Sequence, residues 1–394
     1  GLDASAVSWK DIVAGSRDAL EGEARLSFAS KPSPASENPL IRSVFAIRQG
    51  PEAETFALEV AATLAARAGS LAFSFGEGGA IRIKSNGGDI LLVSAERADV
   101  PAFVRAAGKD VLALKAEVSG AALGGAASLR ADRLVGAPWA FRLESEFANQ
   151  TLWAWKLGAT TLSATGSAQA GAIRADAAIR TTVREARVGR LSILEAPVES
   201  DFHVEMDTGT LVYSFYSRAD NCLRMERGRF RLEGQDSETE LKGARLCRCD
   251  GPLIVWRGGD APHAEVRGLL TAKSGSYRLG ATRLDGLPPV VDLEAEYRPR
   301  LQQTDVAGTL SNGVVVINGA VVATDAKGTF TGRLYPEGLS GEATSSAATL
   351  TQNVPAPQLA PISAAGSARL ADEKVTFDYR AATENGRDIG GGEG

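Results

Sequence analysis

Three cysteines, Cys222, Cys247 and Cys249, are the residues whose type most narrows the chemistry open to this sequence. Cys222 precedes Leu223-Arg224-Met225 and Cys247 follows Ala244-Arg245-Leu246, so both border strand-like runs. A bond between them would close a loop of about 25 residues and stabilise by about 3 kcal/mol in the chain-entropy description. Three separate thiols in a reducing compartment are the plainer alternative. A thiolate metal site built on Cys247-Arg248-Cys249 is a third reading, and a poor one, because no histidine lies nearby and no Cys-x-x-Cys pair completes it. The expected bond is Cys222–Cys247, with Cys249 able to replace Cys247 because a two-residue shift keeps strand parity.

The other reactive types form no constellation. His203 sits between Phe202 and Val204 and would share the polar face of a strand with Glu205, while His263 follows Pro262 in an expected loop. General acid–base work needs a partnered group in a concave site, so both histidines read as surface residues. Gly338-Leu339-Ser340-Gly341-Glu342 misses a nucleophile elbow at its last position. Gly76-Glu77-Gly78-Gly79 precedes a strand-like run, where a phosphate loop would open a helix, and Gly108-Lys109-Asp110 lacks the rest of a P-loop. No catalytic residue, metal or cofactor is expected. Trp153 and Trp155 would place two indoles on one face of a strand, as core or as the lining of an open surface.

The elements that position these residues announce themselves by a period of two. Phe56, Leu58, Val60, Ala62, Leu64 and Ala66 share one parity against Glu59, Thr63 and Arg67. The pattern returns at Trp139, Phe141, Leu143 and Phe147, at Phe202, Val204 and Met206, at Val291, Leu293, Ala295 and Tyr297, and at Val375, Phe377 and Tyr379. Successive strand residues point to opposite faces, so each run makes a sheet with one apolar and one wet side. The apolar face is predicted to be built from Phe56, Leu58, Val60, Leu64, Phe73, Phe75, Phe141, Leu143, Phe202, Val204, Leu293 and Tyr297.

The 394 residues are 44% hydrophobic, 23% charged and 6% aromatic, with 43 glycines. This is the balance of an all-β chain rich in turns. A net charge of -5 without any basic stripe argues against nucleic acid as a partner. No apolar run reaches the ~20 residues of a spanning helix, and Leu2-Asp3-Ala4-Ser5 does not read as a signal peptide. The chain is therefore cytosolic, or a fragment whose anchor lay upstream.

Asn86-Gly87-Gly88-Asp89, Asp207-Thr208-Gly209, Asn312-Gly313 and Asn318-Gly319 are expected hairpin turns. Short helices are expected near 8–20 and, with Asp99 as cap, Pro101 in the first turn and Gly108 past the end, at 99–108. Exposed linkers are expected near 31–39 and 353–361, and a flexible tail over 381–394. No fixed-length repeat appears. Roughly twenty strands at ~4.8 Å would make a sheet on the order of 100 Å long, which should curl, close or split.

The alternating strands, the segment Asp99–Gly108, and the stretch from Asn221-Cys222-Leu223-Arg224 to Leu246-Cys247-Arg248-Cys249-Asp250-Gly251-Pro252-Leu253 resemble the AsmA-like superfamily of repeating β-groove proteins. The YdbH-like branch is the nearer one, with the TamB-like branch as its neighbour. The resemblance implies that residues 1–380 form one continuous, strongly curved antiparallel sheet, an open U-shaped hydrophobic groove. It also implies a periplasmic segment of an inner-membrane-anchored parent. Such a segment would pass phospholipid or other acyl lipids between inner and outer membranes, with partner proteins in both. The chain departs from the family in lacking the N-terminal anchor, in its shortness and in its extra Cys249. The inward parity offers few charged groups, so weak headgroup selectivity is expected. The main rival is a secreted structural or adhesive β-solenoid, which would show stacked ladders at a fixed coil length. An outer-membrane barrel would need aromatic girdles, and an enzyme would need the missing constellations.

Overall fold

Alternation is carried into structure almost without interruption. A computed structural model describes residues 2–5, 22–29, 33–34, 55–67, 70–75, 79–85, 88–97, 99–118, 123–152, 155–188, 191–217, 222–232, 236–259, 261–336, 338–355, 359–371, 374–383 and 385–394. Within them lie 28 strands of one sheet. The first thirteen are Leu2–Ser5 (β1), Gly22–Ala29 (β2), Ser33–Pro34 (β3), Thr55–Arg67 (β4), Ser70–Ser74 (β5), Ile81–Ser85 (β6), Gly88–Ala95 (β7), Phe103–Ala106 (β8), Lys109–Val118 (β9), Leu123–Leu134 (β10), Trp139–Leu152 (β11), Trp155–Gln169 (β12) and Ala172–Val188 (β13). Then follow Leu191–Asp207 (β14), Val212–Ser217 (β15), Leu223–Leu232 (β16), Ser237–Cys247 (β17), Ile254–Arg257 (β18), His263–Thr271 (β19), Ser274–Leu279 (β20) and Thr282–Leu287 (β21). Val290–Arg298 (β22), Gln303–Ile317 (β23), Val321–Tyr335 (β24), Gly338–Gln352 (β25), Ile362–Ala371 (β26), Lys374–Thr383 (β27) and Asp388–Glu393 (β28) complete the set. The described ladders are antiparallel.

The chain divides into two compact units, one of residues 1–153 and 158–177, the other of residues 154–157 and 178–394. In the first, β9 is the hub, pairing with β7, β8 and β10. Strand β11 shows why it folds as it does. Trp139, Phe141, Leu143, Ser145 and Phe147 are half-buried while Ala140, Arg142, Glu144 and Glu146 are exposed, a strict two-residue alternation. Its buried cluster gathers Ala62, Phe75 and Ala102, with Val60, Phe73, Ile81, Ala95 and Leu114 against it.

In the second unit, β22 to β27 pair in sequence order, and β14, β15, β18 and β19 lead into them. Two expected turns form here. Asp207 Oδ1 accepts from the amides of Gly209 and Thr210 at 2.8 and 3.0 Å, closing β14 onto β15. Asn318 and Gly319 (φ 48° and 70°) close β23 onto β24. The second cluster centres on Phe202, Leu246 and Leu253, and a third on Val183, Ala186 and Ala196.

Several expectations fail. Among the described residues there is no α-helix, only the 3-10 turn Pro299–Leu301. The segment 99–108 is a strand and turn. Ala107 and Gly108 both take positive φ (49° and 75°), so they form a two-residue hairpin between β8 and β9. The glycine that reads locally as a helix stop serves that hairpin, and tertiary pairing of Phe103 with Phe73 and Leu112 overrides the local cap signals.

The tail is not loose either, since β28 pairs with β27. Its glycines fit that place, because a Cβ on Gly391 would meet the Tyr379 carbonyl oxygen at 2.5 Å. Asn312-Gly313 is a register shift inside β23 and not a hairpin. His263 opens β19 and is not in a loop. Residues 353–355 and 359–361 do connect β25 to β26 irregularly. The helix expected near 8–20 lies outside the described residues, as does most of 31–39, of which Ser33–Pro34 pair with β4.

Candidate functional site

Cross-strand pairing turns single-strand alternation into continuous apolar rows. In the first unit, Phe28, Val60, Ile81, Val93, Ala116, Ala127 and Ser145 stand opposite one another in turn. Beside this row run Leu58, Ile83, Leu91, Val118, Gly125 and Phe147. An aromatic-rich row on the same face joins Leu64, Phe73, Phe103, Leu112, Ala131 and Phe141. Leu143 continues Ala95, Leu114 and Leu129. The opposite face carries exposed ion pairs, such as Lys115–Glu117 at 2.5 Å and Arg142–Glu144 at 2.6 Å.

Among the described pairings the second unit holds a longer row. Val204, Phe215, Ile254, Val266, Ala295, Val306, Gly332, Gly341 and Leu370 face one another across nine strands without one polar side chain. Eight steps at ~4.8 Å make roughly 38 Å of unbroken apolar contour. Tyr297 lies in the neighbouring row with Trp256, Ala264, Thr304 and Leu334. Leu293 pairs with Gly268 and Gly308 and continues to Phe330.

Of the twelve residues predicted for this face, Val60, Phe73 and Phe75 meet in the first cluster. Leu58, Leu64, Phe141 and Leu143 extend its face. Phe202, Val204 and Leu293 meet in the second unit. Phe56 lies in β4 opposite Ser85, but its side chain, like that of Trp155, is outside the described residues, as is Trp153.

These rows mix buried residues, such as Phe75, Ile83 and Phe202, with half-buried ones. The largest side chains with less than 2% exposure are Leu253, Asp110 and Pro299, of which one is an ordinary core aliphatic. Leu58, Leu64, Phe141, Leu143, Val204, Leu293 and Tyr297 are all only half-buried. Row neighbours cover their flanks, and each keeps a solvent-accessible part. A packed interior would hide such residues almost entirely.

The cysteine-bearing stretch clamps part of this face. Cys222 and Cys247 are bonded, with Cα atoms 4.7 Å apart, one position beyond the pair Leu223–Leu246. Cys249 is free and exposed. Past it, the Leu253 amide donates to the Phe215 carbonyl at 2.7 Å and the Leu253 carbonyl accepts from Arg267 at 3.0 Å. That double tether seats Leu253, fully buried, on Phe202 and Leu246.

In the first unit, charge enters the apolar parity where β8, β9 and β10 meet. Asp110 shares its parity with Leu112 and Leu114, Arg105 with Phe103, and Arg133 with Ala131 and Leu129. In register they form the row Leu71, Arg105, Asp110 and Arg133. Arg105 donates Nε and Nη2 to the two Asp110 oxygens at 2.5 and 2.8 Å. Arg133 donates Nε at 2.8 Å and lies 4.5 Å over the Trp139 ring. These hydrogen bonds, Arg105's foremost, hold the Asp110 carboxyl at about 2 against the opposing effect of burial. Parity alone conceals this cluster, because its partners come from three strands whose register is not a local property. The available signal was a charged residue continuing the apolar parity in each of them.

His203 and Glu205 share the charged face at 4.0 Å, and His263 lies 3.6 Å from the same type of partner, Glu265. Ser340 is a residue of β25. No family model, curated protein or solved structure matches this chain.

Proposed function

We propose that this chain is a section of a passive lipid conduit. In this reading the sheet curves into an open U-shaped trough, and its apolar rows carry phospholipid or other acyl chains between the inner and outer membranes of a double-membrane cell. The segment lies in the periplasm as part of an inner-membrane-anchored parent. Partner proteins in the two membranes load it and unload it.

The observation that carries the reading is the nine-strand apolar row from Val204 to Leu370, beside large side chains that stay half-buried. Exposing an acyl chain of ~16 carbons to water costs on the order of 10 kcal/mol at ~0.8 kcal/mol per CH₂. A continuous apolar row lowers that barrier without a nucleotide, a metal or a catalytic pair. Apolar surface of such extent, left accessible, marks a site for another apolar partner. The Cys222–Cys247 bond fits an oxidising compartment.

Purification without detergent, followed by organic extraction and mass spectrometry, tests this. Co-purified acyl lipid near or above one molecule per chain is expected. A lipid-free preparation would favour a structural or adhesive β-protein.

A further inference from the structure

Rows of Leu, Val and Phe can hold an acyl chain but cannot register its headgroup. The row Arg105, Asp110 and Arg133 has the means to do so. Asp110 is fully buried, whereas each arginine side chain keeps 29% of its surface accessible. The cluster therefore shows solvent its cationic members and hides its anion, leaving one uncompensated positive charge. Arg133 engages Asp110 through Nε, and among the described residues no hydrogen-bond acceptor takes its terminal Nη groups. Beside it opens a recess of about 320 Å³, lined by Arg133, Pro138, Trp139, Ala168 and Gln169 among others. One row away begin the aromatic-rich positions Phe103 and Phe141.

We propose that this cluster is a headgroup station, binding the phosphate of a glycerophospholipid whose acyl chains lie along the neighbouring apolar rows. The inference rests on the conduit reading and adds selectivity to it at a point where few charged groups, and hence weak headgroup selectivity, were expected. The phosphate oxygens accept from the arginine Nη groups, whose planar fork suits a tetrahedral oxyanion. Trp139, with an apolar body and one N–H donor, marks the boundary between headgroup and chain. Asp110 touches no ligand and acts as a positioning residue, fixing both guanidinium planes.

The test compares dioctanoylphosphatidylglycerol, dioctanoylglycerol and inorganic phosphate by titration calorimetry on the whole chain. Wild type should bind the phospholipid about tenfold or more tightly than the diacylglycerol. Arg133→Gln should erase that preference and leave diacylglycerol binding unchanged, while Arg333→Gln on the charged face should alter neither. Arg133→Lys keeps the charge but not the fork, and should lose part of the preference, which covers the case in which Arg133→Gln does not fold. Inorganic phosphate should not displace the phospholipid at equal concentration, and displacement would show an anion site unrelated to lipid. Equal affinity of wild type for the two lipids, or a preference that survives in folded Arg133→Gln, overturns the station and spares the conduit. Failure of both lipids to bind wild type would remove the conduit and the station together.

Discussion

Asp110 in the first unit and Asp305 in the second are each held between two arginines, and the two sites differ in almost everything else. Asp305 accepts from Arg298 and Arg333 at 2.6 Å each, with Gln303 at 3.1 Å, on the face opposite Val306 and Leu293. Its side chain is 27% accessible, while that of Asp110 is fully covered. Burial pushes the Asp305 carboxyl up, and hydrogen bonds from Arg333 and Arg298 more than reverse it. At Asp110 the Arg105 hydrogen bond is the leading influence. Identical residue types therefore do different work according to strand parity. On the charged face they are part of a hydrated network, where exposed ion pairs contribute little. On the apolar face a covered carboxylate orients two partly open cations.

The sharpest way to break the comparison is to remove each carboxylate. Asp110→Ala strands two guanidinium groups on the apolar face and should cost about 3 kcal/mol, read as a lowered denaturation midpoint. Asp305→Ala should cost about 1 kcal/mol or less. Equal losses would mean that parity does not distinguish the sites.

A second contrast concerns the disulfide, since all three cysteines lie in the second unit. Reduction should remove up to about 3 kcal/mol there in the chain-entropy description. Hydrogen exchange should speed up in β16 and β17 and stay unchanged in β9 and β10. Uniform acceleration would show that the units do not respond separately.

The smallest expected effect is in acid. A carboxyl whose folded pKa is depressed contributes its stability above the unfolded value near 4 and loses it as pH falls toward the folded value. Because Asp110 sits at about 2, the wild-type midpoint should fall between about pH 4 and pH 2 more steeply than that of Asp110→Asn. Parallel curves would show that the Asp110 carboxyl is not depressed.

Much of this organisation is legible in the sequence because parity is local. Trp139 to Phe147 declare their face residue by residue, and Asp207-Thr208-Gly209 and Asn318-Gly319 carry their own turn chemistry. Cys222–Cys247 is the expected bond and the one that forms, although strand parity alone left Cys249 able to replace Cys247. What escapes depends on distant pairing. Asp99, Pro101 and Gly108 spell a helix until Phe103 is placed between Phe73 and Leu112. The final glycines read as loose chain until Tyr379 stands against them. The Arg105–Asp110–Arg133 cluster needs the register of three strands, so no single segment reveals it.

Photocrosslinking along the apolar face tests the central claim most directly. A photoreactive residue is placed in turn at Leu58, Leu143, Val204 and Leu293, and at Arg142 and Glu294 on the charged face, in a double-membrane bacterium. The conduit reading predicts lipid adducts at all four apolar positions, because a conduit is occupied along its length, and none at the two charged-face positions. Adducts at only one apolar position would indicate a discrete carrier pocket, and adducts at none would contradict lipid transport altogether.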